Sequence, residues 1–387
     1  MAVRVRKIRI LLTGGGTGGH IYPLTAVAKE LFQIVRARGY EPDIRYYGDP
    51  GPFRLALESV GVEIRHITSS KWRRYFDLEN ILDLFKFVWS VKQSLWKILW
   101  FMPDVVFSKG GPGSFTIIVA CRFYGIPIVI HESDAVLGLA NRAAAQYARF
   151  VELAFASAKN HLPAGKPFHV VGNPVRTEIL AAGGSGIGDN RAAKIEFGFE
   201  SQTPLVLFLG GSQGAEKLND FVLENIDALT SRFQILHQTG EKNFEAHRQQ
   251  FEFLYRGRTE SLVARYKFFP FFDRNLPAAY QAADLVVARA GAGLIFEIAA
   301  MGKPSILVPI TKSANDHQRE NAYAYAKTGA TIVIEEENFL PSLFINEAEK
   351  ILKDSIRIQA MIEATKKFSV PDSTKLIAED ILGILKL

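Results

Sequence analysis

Short apolar runs recur along this chain, each followed by a polar or glycine-rich turn and then by a stretch whose apolar residues return every three or four positions. The runs Ile8–Thr13, Ile44–Gly48, Glu63–Ile67, Val105–Ser108, Ile126–His131 and His169–Gly172 predict one series of strands. A second series is predicted at Leu205–Gly210, Gln234–Gln238, Tyr266–Phe269, Leu285–Ala288, Ser305–Val308 and Thr331–Ile334. Near-continuous apolar runs suit strands covered on both faces. Between them lie helical patterns, such as Pro23 to about Ala37 with Leu24, Val27, Leu31 and Ile34 on one stripe. Strands alternating with helices predict an α/β fold with parallel sheets, and two such series predict two doubly wound domains.

The boundary is legible. Val171-Gly172-Asn173-Pro174-Val175-Arg176 closes the first series, and Ala181–Asn190 is polar and glycine-rich, as a loop would be. The predicted domains are 1–172 and 173–373. The last helical pattern, about 374–387, has no strand after it and is expected to cross back onto the first domain. Sheets of this kind bind ligands at the carboxyl ends of their strands. Two such domains place the expected site in a cleft between them.

Glycines cluster at those strand ends. Gly14-Gly15-Gly16-Thr17-Gly18-Gly19-His20 follows the first strand. Gly210-Gly211-Ser212-Gln213-Gly214-Ala215 and Arg289-Ala290-Gly291-Ala292-Gly293 follow two strands of the second series. Glycine lets backbone approach a ligand, and a helix N-terminus favours an anion, so phosphate or pyrophosphate is the expected guest. Such turns also occur without ligands; three of them in one chain favour the ligand. No Gly-Lys-Ser/Thr follows, so none is a P-loop, and His20 spoils a dinucleotide fingerprint.

Candidate chemistry sits nearby. Glu297 lies one helical turn after Gly293, where its carboxylate suits ribose hydroxyls or simply the helix dipole. Gln318 and Asn321 share a helix face, which suits sugar hydroxyls or solvent. His131-Glu132-Ser133-Asp134 ends a strand, with Asn141 and Arg142 on the next helix. No His or Cys spacing suggests a metal, and Asp-x-Asp does not occur. A leaving pyrophosphate would then be neutralised by loop amides, helix N-termini and Arg176.

Bulk properties add little. The chain has 387 residues, a formal charge of +6 and one cysteine, Cys121, in an apolar stretch. The charge suggests an anionic partner without naming it. A lone cysteine forms no internal disulfide, fits a reducing compartment, and here reads as a core thiol rather than a nucleophile. Only a brief apolar run precedes the first glycines, which predicts a strand rather than a signal peptide. No stretch is long and apolar enough to predict a transmembrane helix. Lys71–Met102 stands apart, because all four tryptophans fall in it, interleaved with Lys71, Arg73, Arg74, Lys86, Lys92 and Lys97. That mixture suits an anionic membrane surface, a core-facing helix pair with snorkelling lysines, or nucleic acid.

Taken in order, the motifs resemble those of the MurG family of N-acetylglucosaminyltransferases. The matching stretches are Gly15–His20, Gly125-Ile126-Pro127 through His131-Glu132, Gly138 with Asn141, and Gly172–Arg176. They continue with Gly210–Ala215, His237-Gln238-Thr239-Gly240, Arg289 with Gly291, Glu297–Ala300, and Gln318 with Asn321. The resemblance implies a GT-B fold, two Rossmann-like domains facing across a cleft, and inverting transfer that uses neither metal nor cofactor. It implies UDP-GlcNAc as donor and undecaprenyl-pyrophosphoryl-MurNAc-pentapeptide, lipid I, as acceptor. The partner of the Lys71–Met102 segment would be the anionic cytoplasmic face of the plasma membrane, with no nucleic acid involved.

Carried over by position, Thr17, Gly18 and Gly19 face the donor, and Arg176, Ser212 and Gln213 meet its phosphates or sugar. Phe272 lies in the uracil-binding segment. Ala292, Gly293, Leu294, Ile295, Phe296 and Glu297 wrap the nucleotide, with Glu297 on the ribose. Gln318 contacts the GlcNAc with His317 nearby, Asn321 completes the motif, and Asp134 and Asn141 lie on the acceptor side. His20 is the implied base, with Asp134 and Glu132 next. The chain departs from the family pattern at Pro112, where an aromatic is usual, and at Asp134, Ala290 and Leu294, which replace Asn, Ser and Thr. Other readings are a GT-B enzyme with a different lipid acceptor, a UDP-sugar epimerase, and a non-catalytic UDP-sugar-binding module.

Overall fold

Among the described residues, the strands of this computed structural model pair only in parallel, in one sheet of seven and one of six. It describes residues 6–68, 79–111, 113–183, 190–211, 214–258, 262, 264–272, 274–311 and 316–387. The first sheet holds β1 (Lys7–Thr13), β2 (Glu41–Tyr47), β3 (Glu63–Arg65), β4 (Val105–Ser108), β5 (Ile128–Glu132), β6 (Phe150–Leu153) and β7 (Phe168–Val170), in the order β3-β2-β1-β4-β5-β6-β7. The second holds β8 (Leu205–Leu209), β9 (Gln234–Gln238), β10 (Tyr266–Phe269), β11 (Leu285–Ala288), β12 (Ser305–Leu307) and β13 (Thr331–Val333), in the order β10-β9-β8-β11-β12-β13. The strand order reverses between β1 and β4 in one sheet and between β8 and β11 in the other. Those are the switch points at which doubly wound sheets open a crevice.

The chain divides into two compact units, one running to Arg176 and including Val370–Leu387, the other spanning Thr177–Ser369. In the first, the period of two along a strand separates two cores. Ile8, Ile10, Leu12, Phe107 and Val129 pack under the helix Gly18–Ala37 through Ile21, Leu24, Val27 and Leu31. Leu11, Val106, Ile128 and Ile130 turn to the opposite face, against Ile98, Phe101, Ile117 and Cys121. Each such side chain contributes roughly 1.5–3 kcal/mol when fully buried. Burial also pushes the Cys121 thiol pKa up, which suits a core residue and not a nucleophile. The C-terminal helix Ser373–Ile384 joins the first core through Ile377, Ala378, Ile381 and Leu382. Arg38 holds that helix by an ion pair to Glu379 and a 2.7 Å bond to the Leu387 carbonyl.

Two local features differ from the sequence expectation. β6 was not anticipated, because Glu152 interrupts its apolar run; the strand nevertheless pairs between β5 and β7 with Glu152 wholly buried. The first long helix begins at Gly18 rather than Pro23, so His20 lies in its first turn. Pro23 has no N–H and leaves the Gly19 carbonyl without its helical donor, yet the helix continues because its apolar stripe is buried on the sheet.

Candidate active site

β1 and β4 are neighbours in register, Thr13 beside Ser108, so the glycine loops after them emerge side by side. They clasp each other. A side chain on Gly111, at φ +89°, would begin 2.8 Å from the Gly15 backbone, and one on Gly16 would meet the Asp49 carbonyl at 2.8 Å. Gly18 is buried under the rings of Phe53 and Tyr22. These glycines therefore serve close packing of loop on loop. Thr17 and Gly19 are the exposed pair at the helix mouth.

His20 lies over that clasp. A Cβ on Gly15 would come within 3.0 Å of its Nδ1, and Thr17 Oγ1 sits 2.8 Å from the same nitrogen. Burial lowers its pKa to about 4, the Lys109 charge lowers it too, and Asp134 opposes both. The imidazole is thus neutral throughout the physiological range, and Asp134 favours the imidazolium that proton uptake would form.

The next shell comes from β5 and the turn after it. Glu132 accepts from the Asp134 N–H at 3.1 Å, the Gly138 N–H at 2.9 Å and Asn141 Nδ2 at 3.0 Å. Its carboxyl thus fastens the 132–141 turn. Burial and the Asp134 charge raise its pKa to about 7, against the pull of those bonds. Asn141 also donates to the His131 carbonyl at 3.1 Å, while its buried Oδ1 has no partner among the described residues and faces Gly110. Asp134 is half-buried at the edge. Arg176 is half-buried at the end of this unit.

Lys109 is the residue that sequence reasoning passed over. Its ammonium, 2% exposed, contacts His131 Nδ1 at 2.8 Å, Ser133 Oγ at 2.6 Å and Asn173 Oδ1 at 3.1 Å. The available signal was a lysine set between an apolar strand and a double glycine.

In the second unit, the loops after β8 and β11 are likewise neighbours: a Cβ on Gly211 would meet Leu294 at 3.8 Å. Ser212 and Gln213 lie outside the described residues. Gly291 caps the helix Ala292–Ala300, and among the described residues nothing stands within 4 Å of where a side chain on Gly291 or Gly293 would begin. Among those residues the helix mouth is uncovered, and such an end favours an anion. Leu294 is half-buried, whereas Ala292, Ile295 and Phe296 face the core and can offer a ligand only backbone. Glu297 is half-buried, with Tyr280 Oη donating to it at 3.4 Å.

Phe272, which the resemblance assigns to the uracil-binding segment, is a core ring. It is buried beside Phe269 and Phe197, and its N–H donates to Gln238 Oε1 at 2.9 Å. Gln238 also donates to the Gly211 carbonyl at 3.1 Å, linking the Phe272 segment to the glycine loop. Gln318 accepts from the Ile310 N–H at 3.2 Å. Asn321 is wholly buried and donates to the Ala290 carbonyl at 3.1 Å, so it positions the 289–293 loop. Of the pair expected to share a sugar-facing surface, only Gln318 is near the surface.

The glycosyltransferase family 28 N-terminal domain matches residues 10–152, and the C-terminal domain of the same family matches residues 205–377. A Clostridium botulinum UDP-N-acetylglucosamine–N-acetylmuramyl-(pentapeptide) pyrophosphoryl-undecaprenol N-acetylglucosamine transferase is 34% identical over 95% of this chain and 98% of its own. The chain belongs to the MurG family, within glycosyltransferase family 28. The enzyme of the same name from Clostridium kluyveri is 34% identical over 95% of this chain and 97% of its own. The solved MurG of Acinetobacter baumannii superposes with a TM-score of 0.73 at 24% identity, covering 98% of this chain and 99% of that one. A UDP-GlcNAc 2-epimerase from Neisseria meningitidis superposes with a TM-score of 0.66 at 14% identity, covering 97% of this chain and 100% of that one, a likeness of fold alone. The chain has the GT-B fold of two Rossmann-like domains.

Proposed function

We propose that this chain transfers N-acetylglucosamine from UDP-GlcNAc to the MurNAc 4-hydroxyl of undecaprenyl-pyrophosphoryl-MurNAc-pentapeptide, making lipid II and UDP in peptidoglycan synthesis. The observation that carries this is the near full-length identity to transferases of that name. In this reading the second unit holds the donor. The helix mouth at Gly291–Gly293 takes the diphosphate, Glu297 the ribose, and Gln318 the sugar, with Ser212 and Gln213 completing the anion contacts. The backbone of the Phe272 segment holds the uracil. The first unit holds the acceptor beside Asp134 and Asn141.

The acceptor oxygen attacks the anomeric carbon as the bond to UDP breaks, which inverts that centre. His20 Nε2 takes the hydroxyl proton. Its neutral state makes the base form fully available, and Asp134 stabilises the charge that develops.

Attachment to the cytoplasmic face of the plasma membrane belongs to the helix Glu79–Phe101. Its Ser90, Ser94 and Ile98 are buried, and Ser90 Oγ lies 2.9 Å from Thr116 Oγ1. Trp89, Trp96, Trp100 and Phe85 are exposed on its other side, with Lys86 and Lys92. Residues 71–78 of the expected membrane segment lie outside the described residues. Among the described residues no helix is long and apolar enough to cross a membrane. Trp rings at the headgroup level and lysines against anionic lipid support a peripheral mode.

Incubation with labelled UDP-GlcNAc and lipid I tests the reaction. UDP release matched by label in the lipid is expected. Conversion of UDP-GlcNAc to its epimer without transfer would overturn it.

A further inference from the structure

We propose that Lys109 is a positioning residue of this enzyme: its buried ammonium fixes the Ser133–Asn173 pair beneath the glycine loops and sets a positive charge below His20. The geometry begins at Gly14. A Cβ placed there would lie 3.5 Å from Lys109 Cβ and 3.6 Å from His20 Cβ, so the two side chains start close to one glycine. The Lys109 N–H donates to the Thr13 carbonyl at 3.0 Å, which ties the second loop to the first strand.

The proton positions around the ammonium are determined. His131 Nε2 lies 2.8 Å from the Gly172 carbonyl and must donate to it, so Nδ1 is an acceptor. Ser133 Oγ donates to Asn173 Oδ1 at 3.2 Å and therefore offers Lys109 a lone pair. Asn173 Oδ1 accepts from both. Three acceptors thus face one nitrogen, which matches the three N–H bonds of an ammonium. A neutral amine would set its lone pair against one of them. The nearby charges agree: burial lowers the lysine pKa to about 7, while Glu132 and Asp134 near β5 and Glu152 on β6 hold it up.

A second positive charge close to a buried ammonium is disfavoured, because the low dielectric barely screens it. The groups that act on His20 are Lys109 from the end of β4 and Asp134 from the end of β5, of opposite sign. Lys109 therefore keeps the imidazole in its proton-accepting form, while Asp134 moderates the effect. The consequence for catalysis rests on the reading of His20 as the base; the charge coupling does not.

The test is an NMR titration of the histidines in the full chain, with His20 assigned through His20→Asn. Lys109→Met removes the charge at similar length. It should raise the His20 midpoint from about 4 by about one pH unit, a tenfold gain in proton affinity. The acidic limb of kcat/KM should move with it. Lys109→Arg keeps the charge and should leave the midpoint in place. A folded Lys109→Met chain with an unmoved His20 midpoint overturns the proposal. If that variant does not fold, the wild type decides: the Lys109 Nζ resonance should titrate near neutrality, with a matching inflection in the His20 signal. Absence of that inflection overturns the proposal as well. Coupling without sugar transfer would sink the assigned reaction and leave Lys109 standing; transfer without coupling would do the reverse.

Discussion

Thr17 Oγ1 and His20 Nδ1 lie 2.8 Å apart across the first turn of the helix Gly18–Ala37. Thr17 occupies the N-cap, where a hydroxyl usually accepts a backbone N–H, yet its side chain makes no cap bond. It is turned to the imidazole instead. An Nδ1–H donated to Thr17 leaves Nε2 as the lone-pair nitrogen, the state a base requires. Thr17→Val should lower kcat about tenfold, the cost of about one hydrogen bond to a charged transition state. Thr17→Ser should restore most of the rate. Steady-state kinetics with a soluble acceptor analogue check this.

His20→Ala should lose roughly 10²–10⁴ in kcat under chemistry-limited conditions. In the wild type, the limb that His20 contributes to kcat/KM should fall near pH 4, with activity rising as the imidazole deprotonates. Lys109 and Glu132, both held near 7, can add an inflection there. That inflection should survive His20→Ala, and the limb near 4 should not. A pH profile of both enzymes tells the two apart.

Glu297→Ala should weaken the donor. Hydrogen bonds to a charged group contribute about 1.5–3 kcal/mol, so KM for UDP-GlcNAc should rise roughly 10- to 100-fold. An unchanged KM would place the ribose elsewhere.

Trp96 and Trp100 are exposed and touch edge to face at 5.8 Å. Replacing both with Gln should abolish flotation with anionic vesicles at moderate salt while leaving the thermal midpoint unchanged. Raising the salt should weaken wild-type flotation, because the Lys86 and Lys92 attraction is screened.

The second unit carries an acid-sensitive chain. His237 Nε2 donates to Asn219 Oδ1, Tyr266 Oη donates to His237 Nδ1, and His247 Nε2 donates to Tyr266 Oη at 2.6 Å. Burial lowers the His247 pKa to about 4 and holds His237 well below its ordinary value. Unfolded imidazoles titrate near 6.5, so between those values the unfolded chain binds more protons. Stability should be full above pH 6.5 and fall as pH drops towards 4. Urea midpoints across that range should show the slope, and His247→Leu should flatten it.

The strands Gln234–Gln238 and Leu285–Ala288 were legible as apolar runs, because a buried parallel strand needs only local hydrophobicity and a turn at each end. The same rule missed Phe150–Leu153, where Glu152 is tolerated only inside the completed sheet. Among the described residues a side chain on Gly291 or Gly293 would meet nothing within 4 Å, whereas Gly15 and Gly111 serve to let two loops touch. No single-loop pattern distinguishes those uses.

By itself, then, the order of residues determined the alternation of strands and helices, the two domains and the motifs of the family, since these follow from periodicity and turn chemistry along the chain. Only the tertiary structure decided what the polar residues do. It buried Asn321 under a loop, assigned Glu132 to a turn, and placed the Lys109 ammonium against His131, Ser133 and Asn173. Those roles depend on burial and on partners distant in sequence, 64 residues in the case of Lys109 and Asn173, and exist only once both loops are folded against one sheet edge.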